Sequence, residues 1–281
     1  MAVQPEPLHI PSIPVSQRRY IVVESDAVIA DIRKSQEEES QKTYDLKKMA
    51  LQVGKQLWAT SVWGQAASGV SYLASRLWPS ENGLQPLRIS FTEANSLQFV
   101  LGHPREKTLY VVHPAKPTVY YAVASFHRLV FEHKFAEAVL LLTSLGAQEI
   151  EVEHLYGWGK EFAAQISVPT GEVSAGFEAS TKRSSKSSIL MSARYKNQRQ
   201  ASIPENLVWL PHEPSWEALV DGRMNRGLRE FQLALNYTED FGVNAGLKAS
   251  AQGAKLEVGG TFEDHVSTSW QISAKFYEIQ S

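Results

Sequence analysis

Residues 125–152, SFHRLVFEHKFAEAVLLLTSLGAQEIEV, decide the fold. Ser125 is a good helix N-cap, because its hydroxyl can accept from the free amides of a first turn. Phe126, Leu129, Val130, Ala136, Val139, Leu140, Leu142 and Leu145 recur mostly at spacings of three and four, which gives a helix one broad apolar face. Gly146 stands where a helix ends on a left-handed residue, a conformation that a Cβ would oppose. Beyond it Ile150 and Val152 alternate with Glu149, Glu151 and Glu153, the period of a half-buried strand. The stretch therefore predicts a core helix running into a core strand.

Upstream of this unit, Arg88 to Thr92, Leu97 to Leu101 and Leu109 to His113 read as three short strands separated by turn residues. Strands followed by a helix and a further strand predict a central α+β unit over residues 81–170. Tyr20 to Val23 reads as a first strand, and Ser25 or Asp26 starts a helical pattern that runs to about Arg76, filling residues 18–80. Residues 1–17 carry Pro5, Pro7, Pro11 and Pro14 and predict an extended arm, since proline donates no backbone bond and restricts its predecessor.

Downstream, residues 171–281 change character. Val173, Ala175, Phe177 and Ala179, then Ile189, Met191, Ala193 and Tyr195, alternate with polar residues around the loop TKRSSKS and predict a hairpin. Pro204, Pro211 and Pro214 mark a connector to a short helix near Trp216 to Arg226. Four further period-two sets follow: 231–237, 243–249, 256–262 and 270–276. They predict an antiparallel meander. The fold class expected is thus α+β, with a helical N-terminal region, a central mixed unit and a C-terminal antiparallel sheet.

Composition excludes several functions. The 281 residues include 28 aromatics (7 Trp, 10 Tyr, 11 Phe) and are 43% hydrophobic, enough for a real core. The net charge of −2 comes with no concentrated positive face, so nucleic acid is not an expected partner. The absence of cysteine removes disulfides, thiolate catalysis, cysteine-ligated zinc and palmitoylation together. Ala2 rules out myristoylation, and no basic region followed by an apolar one opens the chain. The expected location is cytoplasmic, at the periphery of a membrane or inserting into one if the helix described next meets lipid.

That helix is Gln56 to Ser75, QLWATSVWGQAASGVSYLAS, twenty residues without a charge between Lys55 and Arg76. At about 1.5 Å per residue, Trp58 and Trp78 stand roughly 30 Å apart, near the thickness of a hydrocarbon core. Tryptophan favours the interface and flanking cations snorkel towards it. Two Gln, one Thr and four Ser inside the window make it too polar for a lone span. A core helix with small residues at a tight crossing fits the same pattern. The membrane or partner contact, if the helix makes one, falls to Lys55, Trp58, Trp63, Arg76 and Trp78. The small-residue alternation of the C-terminal strands resembles hairpins with which some pore-forming toxins and immune effectors enter lipid. An ordinary sheet with one wet face predicts that alternation equally.

Enzyme signatures are sparse. WLPHEPSWEALVDGR, residues 209–223, gathers His212, Glu213, Glu217, Asp221 and Arg223 beside two tryptophans. His212 and Glu213 are the candidate acid–base pair of a hydrolase, if both face one cleft. His127 and His133 lie six apart on one helix and cannot form the i, i+4 pair of a zinc protease, and no calcium loop or phosphate loop is spelled. No cofactor or metal is expected. The sequence thus predicts a non-catalytic intracellular binding or effector protein. It acts through its tryptophan-bearing helix on membrane lipid or a protein partner, another copy of itself included. A hydrolase, or a subunit of a larger assembly, is the alternative.

Overall fold

The computed structural model describes residues 8–54, 84–164, 188–195 and 201–277. The expected hairpin arm over 172–179 and the uncharged stretch 56–75 lie outside these residues. The protein is α+β: helices with one mixed sheet and one antiparallel sheet. It divides into two compact units whose sequences interleave. The first comprises residues 1–113, 117–125 and 245–262, the second residues 114–116, 126–244 and 263–281.

The first unit is built on a five-stranded sheet of order β2-β1-β4-β5-β3. Its strands are β1 (Tyr20–Glu24), β2 (Leu87–Ser90), β3 (Gln98–Phe99), β4 (Leu109–Val112) and β5 (Val119–Ala122). The pairs β1–β2 and β3–β5 are parallel, and β1–β4 and β4–β5 antiparallel. Ile21, Val23, Leu87, Ile89, Tyr110, Val112, Tyr120 and Ala122 make its core. Strand β2 stops at Ser90 because that residue caps a short helix, α2 (Phe91–Ala94), in a reciprocal box with Glu93. The sequence had extended this strand to Thr92. Strand β5 was not read at all, since its apolar run continues without a break towards the next helix.

The arm expected over residues 1–17 is anchored, where it is described, by two buried isoleucines. Ile10–Ser12 and Val15–Gln17 form two 3-10 turns, and Ile10 and Ile13 enter the core of the sheet. Arg18 locks the arm down: Nε donates to Ile13 O at 2.7 Å and Nη1 to Tyr120 Oη at 3.0 Å. Proline set the turns here, and isoleucine set the packing.

Helix α1 (Asp26–Gly54) leaves the end of β1. Ile29 is buried in its first turns, and Arg33 Nη2 meets the fully buried Glu93 Oε1 at 2.5 Å. Further along, the described side chains from Glu37 to Tyr44 are exposed, as the run of Glu, Lys and Gln predicts.

The second unit carries the stretch from which the reading began. A 3-10 turn, Val123–Ser125, leads into α3 (Phe126–Ser144), which ends at Gly146 with φ +85°. Strand β6 (Ala147–Tyr156) follows and forms the sheet β7-β6-β9-β8 with β7 (Ile189–Arg194), β8 (Glu230–Tyr237) and β9 (Thr268–Phe276), all antiparallel. Ile150, Val152, Leu233, Leu235, Trp270, Ile272 and Ala274 line one buried face. Phe131 and Phe135 of α3 meet the Trp270 ring there at 4.8 and 5.2 Å. On the other face Glu149 pairs with Arg194 at 3.0 Å and with Lys275 at 3.5 Å. This is a sheet with one wet face, which explains the period-two alternation of these strands.

The expected four-stranded meander supplies two strands, β8 and β9. Residues 243–249 are not a strand: Ala245–Gly253 is a helix, which follows the short α4 (Lys160–Ala163) and α5 (Pro214–Arg226) of the second unit in chain order and is here called α6. Leu247 and Ala251, four apart, are its buried residues. Alanine at every second position satisfies a period of two, yet alanine is the strongest helix former, and the i, i+4 pair wins. Residues 256–262 belong to no sheet strand. They lie as a strap on the first unit, where Glu257 O accepts from Leu109 N and Val258 O from Ala124 N, both at 2.8 Å.

The stretch 81–170, read as one unit, is divided at Ser125/Phe126. Its early strands pair with β1, and its helix and last strand pack with chain more than a hundred residues later.

Candidate functional site

The residues expected to meet lipid or a partner, Lys55, Trp58, Trp63, Arg76 and Trp78, lie outside the described residues. What the structure describes is the helix that leads to them. Helix α1 runs 29 residues to Gly54, one residue before Lys55. Among the described residues no helix is long and apolar enough to cross a membrane.

The 209–223 loop is held by buried polar groups of α3. Glu137 accepts from three consecutive amides: Val208 N at 2.8 Å, Trp209 N at 2.6 Å and Leu210 N at 3.1 Å. Three amides converging on one carboxylate form a closed anion site that the protein fills itself. Lys134, one turn earlier, donates to Asn236 O at 3.0 Å, pairs with Glu213 Oε1 and lies over the Trp209 ring at 5.2 Å. The indole Nε1 of Trp209 donates to His133 Nδ1 at 3.1 Å, so His133 carries its proton on Nε2 when neutral. Burial lowers the His133 pKa, partly opposed by the Glu137 carboxylate, and Lys116 lowers it further.

His212 and Glu213 do not converge. Leu210–His212 is a 3-10 turn with the His212 side chain exposed, and Glu213 turns inward to Lys134. Trp209 and Trp216 are core anchors, both buried. Arg223 is buried as well: Nε donates to Leu145 O, Nη1 to Leu228 O and Nη2 to Tyr277 O, at 2.9, 3.0 and 2.8 Å. Asp221 pairs on the surface with Arg226 and Asn225. Of the charged residues that drew attention to this loop, Glu213, Asp221 and Arg223 are engaged within the fold, while His212 and Glu217 are exposed.

A cluster the sequence reading passed over lies at the head of α3. His127, fully buried, bonds through Nδ1 to Tyr237 Oη at 2.7 Å and through Nε2 to Val243 O at 2.5 Å. A carbonyl only accepts, so Nε2 holds the proton and Nδ1 accepts from the tyrosine hydroxyl. The His265 ring packs against His127 at 5.2 Å and against Tyr237 at 5.5 Å, and its buried Nε2 has no hydrogen-bond partner among the described residues. Phe126, Phe131, Trp158 and Phe241 close the surroundings. Burial pushes the Tyr237 hydroxyl far up and the His127 imidazole down. Asp240 stays below the usual carboxylate range because Gly242 N and Asn244 Nδ2 donate to it. His127 was weighed from sequence only as a metal ligand. Its partners, 110 and 116 residues away, leave no local signal.

The first unit has a smaller pair of this kind. Tyr110 Oη accepts from Arg105 N and bonds His103 Nδ1, both at 2.7 Å. Burial lowers the His103 pKa, as does the Arg105 charge. Among the described residues no three of His, Asp and Glu gather as metal ligands. Comparison with known proteins finds no family that matches this chain, no similar curated protein and no similar solved structure.

Proposed function

We propose that this is a non-catalytic binding protein that docks on a lipid surface through its 46–78 segment, with Trp58, Trp63 and Trp78 as interfacial anchors and Lys55 and Arg76 as flanking cations. The observation that carries the reading is helix α1. It holds to its unit through Ile29 and the Arg33–Glu93 pair, and then presents exposed side chains, with Tyr44 62% exposed. From Glu37 to Gly54 it extends about 26 Å at 1.5 Å per residue. A helix tethered at one end, with its described side chains exposed from Glu37 to Tyr44, is suited to carrying the uncharged stretch that follows it to a surface. The hydrolase alternative has no comparable support, since Glu213 is engaged by Lys134 while His212 faces solvent.

The test is flotation of the purified protein with anionic and neutral vesicles, with dye leakage read from the same vesicles. The wild type floats, and the double variant Trp58→Ala, Trp63→Ala stays at the bottom of the gradient with an unchanged unfolding temperature. Leakage on binding identifies a pore-forming effector, and binding alone a peripheral one. A folded wild type that floats with neither vesicle refutes the proposal, and a double variant that unfolds makes the two tryptophans core residues.

A further inference from the structure

His127 sits where three chain passages meet. The chain enters the second unit at Phe126, leaves it after Asn244 and returns at Glu263. His127 follows the first of these points, Val243 precedes the second and His265 follows the third. All three are joined through one imidazole and the ring that meets it edge-on. We propose that His127 is an acid-sensitive latch: neutral, it ties Tyr237 and Val243 to the head of α3, and its protonation releases residues 238–244 while the sheet of the second unit stays folded.

The geometry supplies the reason. Neutral His127 uses both nitrogens, one donating and one accepting. A second proton on Nδ1 points at Tyr237 Oη, which must then accept, and its own hydrogen has to find a new acceptor in an aromatic cage. The groups facing the ring compensate for the charge only in part. Asp240 is engaged by Gly242 and Asn244, and Asp264 accepts from the His265 amide. Arg128, next on α3, is paired with Glu132 and Glu263 at 3.6 and 3.4 Å, and Lys134 adds a positive charge beside Asn236. Any charge on the His265 ring, 5.2 Å away, repels one on His127.

The sign follows from burial, which lowers the His127 pKa in the fold, with the Val243 bond and the two aspartates opposing it in part. The released ring takes its proton near the ordinary histidine value of about 6.5. The latch is therefore fully closed above that value and weakens as pH falls from it towards the lower folded pKa. One proton taken up on opening raises the open fraction by up to about tenfold per pH unit across that window.

Hydrogen exchange of the full chain at pH 7.5 and pH 5, corrected for intrinsic rates, tests this. The expected result is a severalfold rise, at most about tenfold per pH unit below 6.5, in opening of the 238–244 amides at pH 5, with β6 and β9 unchanged, and no such pH dependence in His127→Gln. Equal protection at both pH values overturns the proposal, as does a pH dependence that persists in the variant. Imidazole nitrogen shifts of the wild type keep the test decisive if the variant does not fold. The proposal requires the Nε2–H tautomer and a titration below about 6.5. A titration at or above that value overturns it.

Discussion

Replacing Glu137 by glutamine should cost the second unit about 2–3 kcal/mol, and replacing it by alanine about 3–5 kcal/mol. The carboxylate is only 6% exposed and holds the amides of Val208, Trp209 and Leu210. Trp209 and Leu210 share Oε1 and Val208 takes Oε2, so a glutamine oxygen in the first position keeps two bonds. Those two lose their charge assistance, roughly 1 kcal/mol each, and the amide nitrogen in the second position faces the Val208 donor. Relief from burying a charge offsets part of this. Alanine leaves all three amides unmet at about 1–3 kcal/mol each, moderated at Val208 and Leu210, which water can reach. Urea unfolding measures the loss as a lower midpoint at unchanged slope, and exchange at residues 208–210 locates it. A glutamine variant within about 0.5 kcal/mol of wild type would mean that the charge does not hold the loop, and the reasoning fails.

Two further substitutions test other ties. Gly259→Ala should destabilise the first unit by roughly 3 kcal/mol, because the glycine has φ +86° and an added Cβ would stand 2.5 Å from the Ala122 Cβ. Thermal unfolding checks it, and a loss below about 1 kcal/mol refutes the close approach. Arg223→Lys should cost about 2–3 kcal/mol in urea, since one ammonium cannot reproduce three directed bonds to Leu145, Leu228 and Tyr277.

What could be read in advance divides along physical lines. Helix α3 and strand β6 were legible because periodicity, Gly146 and the switch from period 3.6 to period 2 all agree. So were β8 and β9, whose inward residues Leu233, Leu235, Trp270 and Ile272 are large. Helix α6 was misread because small residues fit either period, and the N-terminal turns because proline masked the burial of Ile10 and Ile13. The polar residues of α3 mislead in another way. His127, Lys134 and Glu137 look like a wet face, yet all three are buried and satisfied by chain about 70 to 116 residues away. Sequence shows a residue's chemistry, not the partner that long-range folding brings to it. The proposed lipid-binding stretch rests on composition, for it lies outside the described residues.

The strap of residues 256–260 gives the fold a timing. The amides of Leu109 and Ala124 donate to Glu257 O and Val258 O, roughly 135–150 residues further along the chain. At about 5–20 residues per second of synthesis, that is a delay of roughly 7–30 s before the strap can reach the five-stranded sheet. Neither unit is a contiguous gene segment, so neither can be expressed alone by truncation. Separating them requires a circular permutation or a designed splice across residues 244–263. For that interval the sheet of the emerging first unit lacks the backbone acceptors of Glu257 and Val258, so its last two hydrogen-bonded edges close only after most of the second unit has been made.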